Sequence, residues 1–317
     1  MRTLPLVVVM PVYEDREASS QLLLELAREL GTSAFVVAVD DGSVREPLET
    51  TGLLDAGLSG VVLRLRRNVG HQRAIAIGLG FVADELPGAE RVVVMDSDGE
   101  DRPATIHTLL EALQSEEFDI AVAQRKSRVE TARFRAFYLL YKLIFGALTG
   151  RRISFGNFMV LKPVAVRRLA AMHESWTHIA GAVLGSRLRL AVCPIDRGAR
   201  YAGRSKMNFV GLALHGFKGL MVFAEDVLVR VGLACVFISG MAVLAAVAAV
   251  VLKLIGFATP GWFSVAIGVL FLVFLQTAAL TLMTLMLSGV AKGGPVLSGA
   301  YRNFVEEVIA VDVSDGD

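Results

Sequence analysis

The sequence predicts a doubly wound α/β domain followed by two membrane-spanning helices, and three observations carry that prediction. The 317 residues are 54% hydrophobic with a mean hydropathy of +0.56, more apolar than a water-soluble domain of this length requires. Positions 231–252 hold no Asp, Glu, Lys or Arg, Lys253 interrupts, and 254–291 again hold none. Between positions 6 and 195, by contrast, short Val/Ile/Leu runs alternate with stretches of helical periodicity, the pattern of a mostly parallel sheet covered on both faces. The 32 basic and 31 acidic residues nearly cancel, which excludes a globally basic nucleic-acid binder and an acidic disordered chain.

Taken in order, residues 6–9, 35–39, 61–65, 92–95 and 120–123 read as buried strands, and 16–30 and 72–86 as helices. The apolar N-terminus lacks a small-residue cleavage site and reads as a first strand rather than a signal peptide. Residues 134–148 and 208–224 alternate aromatic and aliphatic residues but are too short or interrupted to span a bilayer, which suits helices lying in the interface. Residues 231–252 and 262–288 are long enough to cross about 30 Å of hydrocarbon. The turn Thr259-Pro260-Gly261 joins them as a hairpin, and the arginine-rich N-terminal part marks the cytoplasmic side. The domains are thus 1–200, an interfacial region 201–228, a hairpin 229–290 and a cytoplasmic tail 291–317. Cys193 and Cys235 form no disulfide framework or zinc spacing.

A doubly wound sheet binds its ligand at the carboxyl ends of its strands, and polar clusters stand at those positions. They are Pro11-Val12-Tyr13-Glu14, Asp40-Asp41-Gly42-Ser43, Asn68-Val69-Gly70 and Asp96-Ser97-Asp98-Gly99-Glu100-Asp101. Carboxylates at Asp96, Asp98 and Glu100 can turn oxygens onto one hard cation, Mg2+ or Mn2+, which in turn bridges phosphates. A carboxylate at the end of the second strand suits a ribose hydroxyl or a base edge, or else an Asx turn.

These four clusters, in this order, resemble glycosyltransferase family 2 on a GT-A (Rossmann-like) fold. With Gly203-Arg204-Ser205-Lys206-Met207, the two spans and the tail from Tyr301 to Val308, the chain looks like the branch that makes polyprenyl-phosphate sugars. That branch includes dolichyl-phosphate mannose synthases and undecaprenyl-phosphate glucosyltransferases. The resemblance implies donor binding by Pro11, Tyr13, Glu14, Asp41, Asn68, Gly70 and Asp96, and a divalent metal held by Asp96, Asp98 and Glu100. It implies a nucleotide-sugar donor, a UDP-sugar first and GDP-mannose as the alternative, and a polyprenyl phosphate acceptor at the cytoplasmic face of a bacterial inner membrane. Homo-oligomers, tetramers included, belong to the same expectation. The sequence departs from the family in Glu100-Asp101-Arg102-Pro103, where Gln and Asp-Pro-Pro are usual, and in Gly156-Asn157-Phe158, where many relatives have Gly-Asp-Phe.

Asn157 cannot serve as a base, because an amide does not take up a proton near neutrality. A lipid monophosphate is already anionic at pH 7 and needs alignment and charge neutralisation instead. Positions 125–152 supply positive charge: Arg125, Lys126, Arg128, Arg133, Arg135, Lys142, Arg151 and Arg152 against the single acid Glu130. Arg125 and Arg128, following a strand, suit phosphate contact and are assigned with Asp98 to the catalytic set. Lys142, Arg151 and Arg152 suit a basic belt beside lipid. Arg133, Arg204, Ser205 and Lys206 are assigned to the acceptor phosphate, the last three at the start of an interfacial helix. A processive polysaccharide synthase is disfavoured by the lack of Gln-x-x-Arg-Trp and of further spans, and a scaffold with a decayed site by the intact Asp41, Asp96 and Asp98.

Overall fold

The computed structural model describes residues 4–125, 132–201, 209–257, 261–290 and 299–313. The chain divides into two compact units, one comprising Met1–Leu139, Arg152–Val222 and Pro295–Asp317, the other Leu140–Arg151 and Phe223–Gly294.

The first unit is built on an eight-stranded sheet. Its strands are β1 (Leu6–Val12), β2 (Ala34–Asp40), β3 (Gly60–Leu65), β4 (Val92–Val94), β5 (Ile120–Arg125), β6 (Met159–Leu161), β7 (Leu190–Ile195) and β8 (Val305–Val311), in the order β7-β5-β6-β4-β1-β2-β3-β8. All five strands expected from sequence are present. The sheet is mixed rather than parallel throughout, because β6 runs antiparallel to β4 and β5, and β8 antiparallel to β3. The reversal of β6 does not show in a run of Val and Leu, since both faces are covered there and the apolar pattern is then the same in either direction.

Side-chain alternation along β1 sorts the core into two layers. Val7 and Val9 enter one layer, together with α3 (His71–Glu85), α6 (Pro163–Ala170) and α7 (Ile179–Gly185). Leu6, Val8, Met10 and Val12 enter the other, with α1 (Arg16–Leu30), α2 (Thr51–Ala56) and α4 (Ile106–Ala112). At Gly78, α3 comes so close to the sheet that a Cβ would lie 2.5 Å from Cγ1 of Val9. The tail closes this unit's own sheet. β8 pairs with β3, and the buried Tyr301 packs edge-on against Phe81 at 6.1 Å and donates to Glu85 Oε1 at 3.0 Å.

α5 (Ala132–Thr149) and α8 (Phe209–Met221) are helices at the two positions where interfacial helices were expected. Leu139, Leu140 and Leu143 on α5, and Leu214, Phe217 and Met221 on α8, are exposed. The second unit contains α9 (Ala224–Leu254) and α10 (Trp262–Val290), each with a window long and apolar enough to cross a membrane. They pair through hydroxyls, Ser239 Oγ lying 2.5 Å from Thr277 Oγ1, and through the small Gly232 beside Thr284. The turn residues Thr259 and Pro260 lie outside the described residues.

Candidate active site

Parallel neighbours β1 to β4 bring their carboxyl ends together, so the polar clusters named from sequence share one edge of the sheet. Two of those clusters are occupied in holding the edge in shape. Asp40 accepts from the backbone N–H of Ser43 (2.9 Å) and Leu48 (3.0 Å). Asp41 is buried and accepts from Val69 N–H (2.7 Å) and Gly70 N–H (3.0 Å), tying the end of β2 to the loop that opens α3. Burial raises the Asp41 carboxyl against those two bonds. Gly42 passes this junction at φ +69°, where a Cβ would lie 2.5 Å from the carbonyl carbon of Arg67. Glu14, in the left-handed region at φ +46°, takes three amides with its carboxylate, Val44 (2.9 Å), Arg45 (3.1 Å) and Glu46 (2.8 Å). Asp41 and Glu14 therefore hold the loops at this edge of the sheet in place through backbone bonds. Tyr13 and Asn68 are exposed on the same rim, Gly70 caps α3 at φ +92°, and Pro11 lies within β1 opposite Val39.

The acidic segment after β4 forms the centre. Two arginines absent from the sequence-based set face it. Arg197 pairs with Glu100 and approaches Asp101 (3.7 Å) and Asp96 (3.9 Å), while Arg200 pairs with Asp98 at 2.5 Å and approaches Glu100 at 3.7 Å. Their segment is laced to the acidic loop by Gly198 N–H to Glu100 O (2.9 Å) and Tyr201 N–H to Asp98 O (3.0 Å). The Tyr201 ring covers Gly99, whose φ of +84° and lack of a side chain make room for it, and its hydroxyl bonds Glu25 on α1. A sequence signal for this pair existed in the two arginines spaced by three just after an apolar strand, but nothing in it names the carboxylates they meet.

The electrostatics are those of crowded anions. Burial pushes Asp96 up, but His71, Arg197 and Arg125 outweigh it and bring the carboxyl down to about 2. Burial and the charge of Asp96 raise Asp98, and push Asp101, which accepts from Asp96 N–H at 3.0 Å, well above the usual range. Burial lowers Arg197 against the pull of Asp96 and Asp98. Asp96 Oδ1 is buried without a hydrogen bond, and His71 Nε2 stands 3.1 Å from it at ion-pair distance without the alignment of a bond.

An oxygen-only donor set with an orphaned buried carboxylate oxygen fits a hard divalent cation. Among the described residues no three ligating side chains converge, so the expected trio is not assembled as one cradle, and Glu100 is turned onto the arginines. Asp96 and Asp98 suffice for Mg2+ or Mn2+, which usually takes one or two carboxylates plus substrate phosphates and water.

Arg125, at the end of β5, lines a cleft with Glu100, Asp101, Asn157 and Arg197. Arg128, Arg204, Ser205 and Lys206 lie outside the described residues, and Arg133 is placed only as part of the first turn of α5. Trp176 packs on Phe304 at 5.3 Å, against the core.

Comparison with known proteins follows the same outline. The chain is 24% identical over 288 residues to the uncharacterized glycosyltransferase YkoT of Bacillus subtilis (strain 168), covering 86% of this chain and 83% of that one. In fold it is similar to glucosyl-3-phosphoglycerate synthase from Mycobacterium tuberculosis, solved with Mn2+, UDP-glucose and phosphoglyceric acid. That likeness has a TM-score of 0.52 at 14% identity and covers 70% of this chain and 79% of that one. The same synthase solved with UDP gives a TM-score of 0.51 at 14% identity, over 70% and 80% of the two chains. The profile of glycosyl transferase family 2 matches residues 7–175, the stretch that carries β1 to β6 and the acidic segment, and the chain belongs to that family.

Proposed function

We propose that this glycosyltransferase moves a sugar from a nucleotide sugar, a UDP-sugar first, to a polyprenyl phosphate at the cytoplasmic face of a bacterial cell membrane, with inversion at the anomeric carbon. The observation that carries this reading is one chain joining an acidic site at the end of β4 to two helices long and apolar enough to span a bilayer. The chain leaves the first unit after Val222 and re-enters it at Pro295, which suits a hairpin whose two ends emerge on one side. Exposed leucines on α5 and the exposed Leu214, Phe217 and Met221 on α8 suit burial in the interface. The glucosyl-3-phosphoglycerate synthase neighbour, solved with Mn2+ and UDP-glucose, supports a metal-bound nucleotide sugar as donor.

In this reading Asp96 and Asp98 hold Mg2+ or Mn2+, which neutralises charge on the departing diphosphate. A phosphate oxygen of the lipid attacks the anomeric carbon, the bond from that carbon to the diphosphate oxygen breaks, and its electron pair leaves with the nucleoside diphosphate. No proton has to be removed from the acceptor, so Asn157 in place of Asp is compatible with the chemistry. Arg125, with Arg128 and Arg133 beyond it, supplies positive charge for the two phosphate groups, and Arg204, Ser205 and Lys206 hold the acceptor.

The test is a membrane assay with a panel of UDP- and GDP-sugars, reading the lipid product by mass spectrometry. Wild-type chain gives a polyprenyl-phosphate monosaccharide with one donor, and Asp98→Ala lowers its rate at least ~100-fold, the scale of losing one charge-stabilising contact. Full activity of Asp98→Ala overturns the metal assignment, and glycosylation of water-soluble phosphorylated acceptors alone overturns the lipid acceptor.

A further inference from the structure

The second unit carries one polar side chain that nothing so far accounts for. Gln276 stands on α10 fourteen residues beyond Trp262 and twelve before Ser288, about 21 and 18 Å of helix at 1.5 Å per residue, so a bilayer crossed by α10 holds it close to the midplane. A glutamine side chain is too short to carry its amide from there to either interface. Its neighbour Thr277 faces α9 and meets Ser239, and one step along a helix turns about 100°, so Gln276 looks away from that contact and is exposed. Among the described residues the side-chain hydrogen bonds of α10 belong to Thr277, Thr281 and Thr284, and Gln276 has none. Hydrocarbon supplies no partner, and an amide left unpaired there costs free energy. The residues around it are patterned. Val269, Leu272, Gln276, Ala279 and Met283 are all exposed and follow one another at alternating steps of three and four, the spacing of a seam between paired helices, with the polar residue in the middle and a small one beside it.

We propose that this stripe of α10 is the contact surface for a second copy of the same chain, with Gln276 bonded to Gln276 across a two-fold axis along the membrane normal. Copies inserted in the same direction carry each residue to the same depth, so such an axis sets identical residues opposite one another. An amide is its own complement: the Oε1 of each glutamine accepts from the Nε2 of the other, and two bonds form where hydrocarbon offers none. The small Ala279 lets the backbones approach, and Val269, Leu272 and Met283 fill the seam on either side. Another protein would have to supply a polar group at the same depth, which a second copy does by identity. A polar residue at a seam position also fixes register, because a slip along the helix leaves both amides unpaired. The inference needs the membrane spans and is independent of the donor and the acceptor.

The experiment measures Förster transfer between donor- and acceptor-labelled full-length chains, reconstituted together in phosphatidylcholine vesicles over a range of protein-to-lipid ratios. Wild type gives transfer above the level of random proximity. Gln276→Leu, which keeps the size of the side chain and makes the span more apolar, weakens the association roughly 5- to 30-fold, the scale of two side-chain hydrogen bonds in a bilayer. Its melting temperature stays near wild type, since the contact of Ser239 with Thr277 inside the hairpin is untouched. Gln276→Asn, which keeps an amide, retains part of the association, and Phe271→Ala, on a different exposed face of α10, retains all of it. Transfer at the random level in wild type, which leaves the amide to another protein or to lipid, overturns the proposal. So does undiminished association in Gln276→Leu, or an equal loss in Phe271→Ala. Release of the wild-type chain from vesicles by alkaline carbonate overturns the spans and the proposal with them. If transfer follows the expected pattern and no lipid-linked product forms with any donor, the acceptor reading fails and the seam stands.

Discussion

Arg197 brings one guanidinium against Asp96, Glu100 and Asp101, and its desolvation is offset only while those acids stay ionised. Arg197→Gln keeps a hydrogen-bonding side chain but removes the charge, leaving carboxylates of which Asp98 and Asp101 are already raised by burial and by the charge of Asp96. The expected cost is about 1.5–3 kcal/mol, the range for hydrogen bonds to charged groups. Melting in the presence of EDTA should fall accordingly, and the rise in melting temperature on adding Mn2+ should exceed that of wild type, since bound cation then replaces lost positive charge. An unchanged melting temperature in EDTA would show that the arginine contributes only to ligand binding. At this scale the sequence located the carboxylates and missed their partners. Asp96 and Asp98 follow a strand by counting, whereas Arg197 and Arg200 are roughly a hundred positions away, and their approach depends on the lacing of two loops that no local pattern encodes.

Helix α8 is held to α7 by a pair of histidines. His178 and His215 face each other with Nε2 atoms 3.1 Å apart. His178 Nδ1 accepts the Gly181 N–H, capping α7, so its hydrogen is on Nε2 and points at His215. Burial brings His178 down to about 3, helped by the neighbouring His215 and Lys218, and lowers His215 as well. The sign is that of depressed imidazoles: the pair is neutral in the folded chain, its stabilisation is complete above the ordinary imidazole value near 6.5, and it is lost as pH falls from there toward about 3. Melting temperature should therefore decline from pH 7 to pH 5 more steeply than in His215→Phe, which keeps an aromatic ring without the second charge. Equal slopes would remove the pair as the cause. Helix α8 itself was legible as an apolar stretch, its ends shifted by only a few residues, whereas the seven-residue α7 was not. That His178 caps one and His215 locks the other was not legible either, because a lone histidine in a sequence carries no sign of which element it will face.

Across the whole molecule, the sequence was most informative where periodicity is long and least where the chain reverses direction. Both spans and the strands β1 to β5 follow from hydropathy alone, since each must bury its residues whatever surrounds it. β6 and β8 escape because a three-residue strand gives no period and because the tail alternates charged and apolar residues, as any half-exposed element does. The tail also tests how the first unit is closed. Deleting residues 299–317 removes Tyr301 from its seat beside Gly80 and uncovers the edge of β3, a row of unpaired backbone groups. The shortened chain should melt several degrees lower and scatter more light on standing in detergent than the full chain. Equal behaviour would mean that β8 adds nothing to the integrity of the sheet.

The position of β8 has a further meaning for how the protein is made. Its partner β3 leaves the ribosome some 240 residues before it, and both spans are synthesised in between. The catalytic sheet therefore gains its last strand only after the hairpin has been translated. A chain that stalls or is cut within either span leaves behind a domain with a sticky border, which marks failed membrane insertion on the very part of the protein that would otherwise pass as finished.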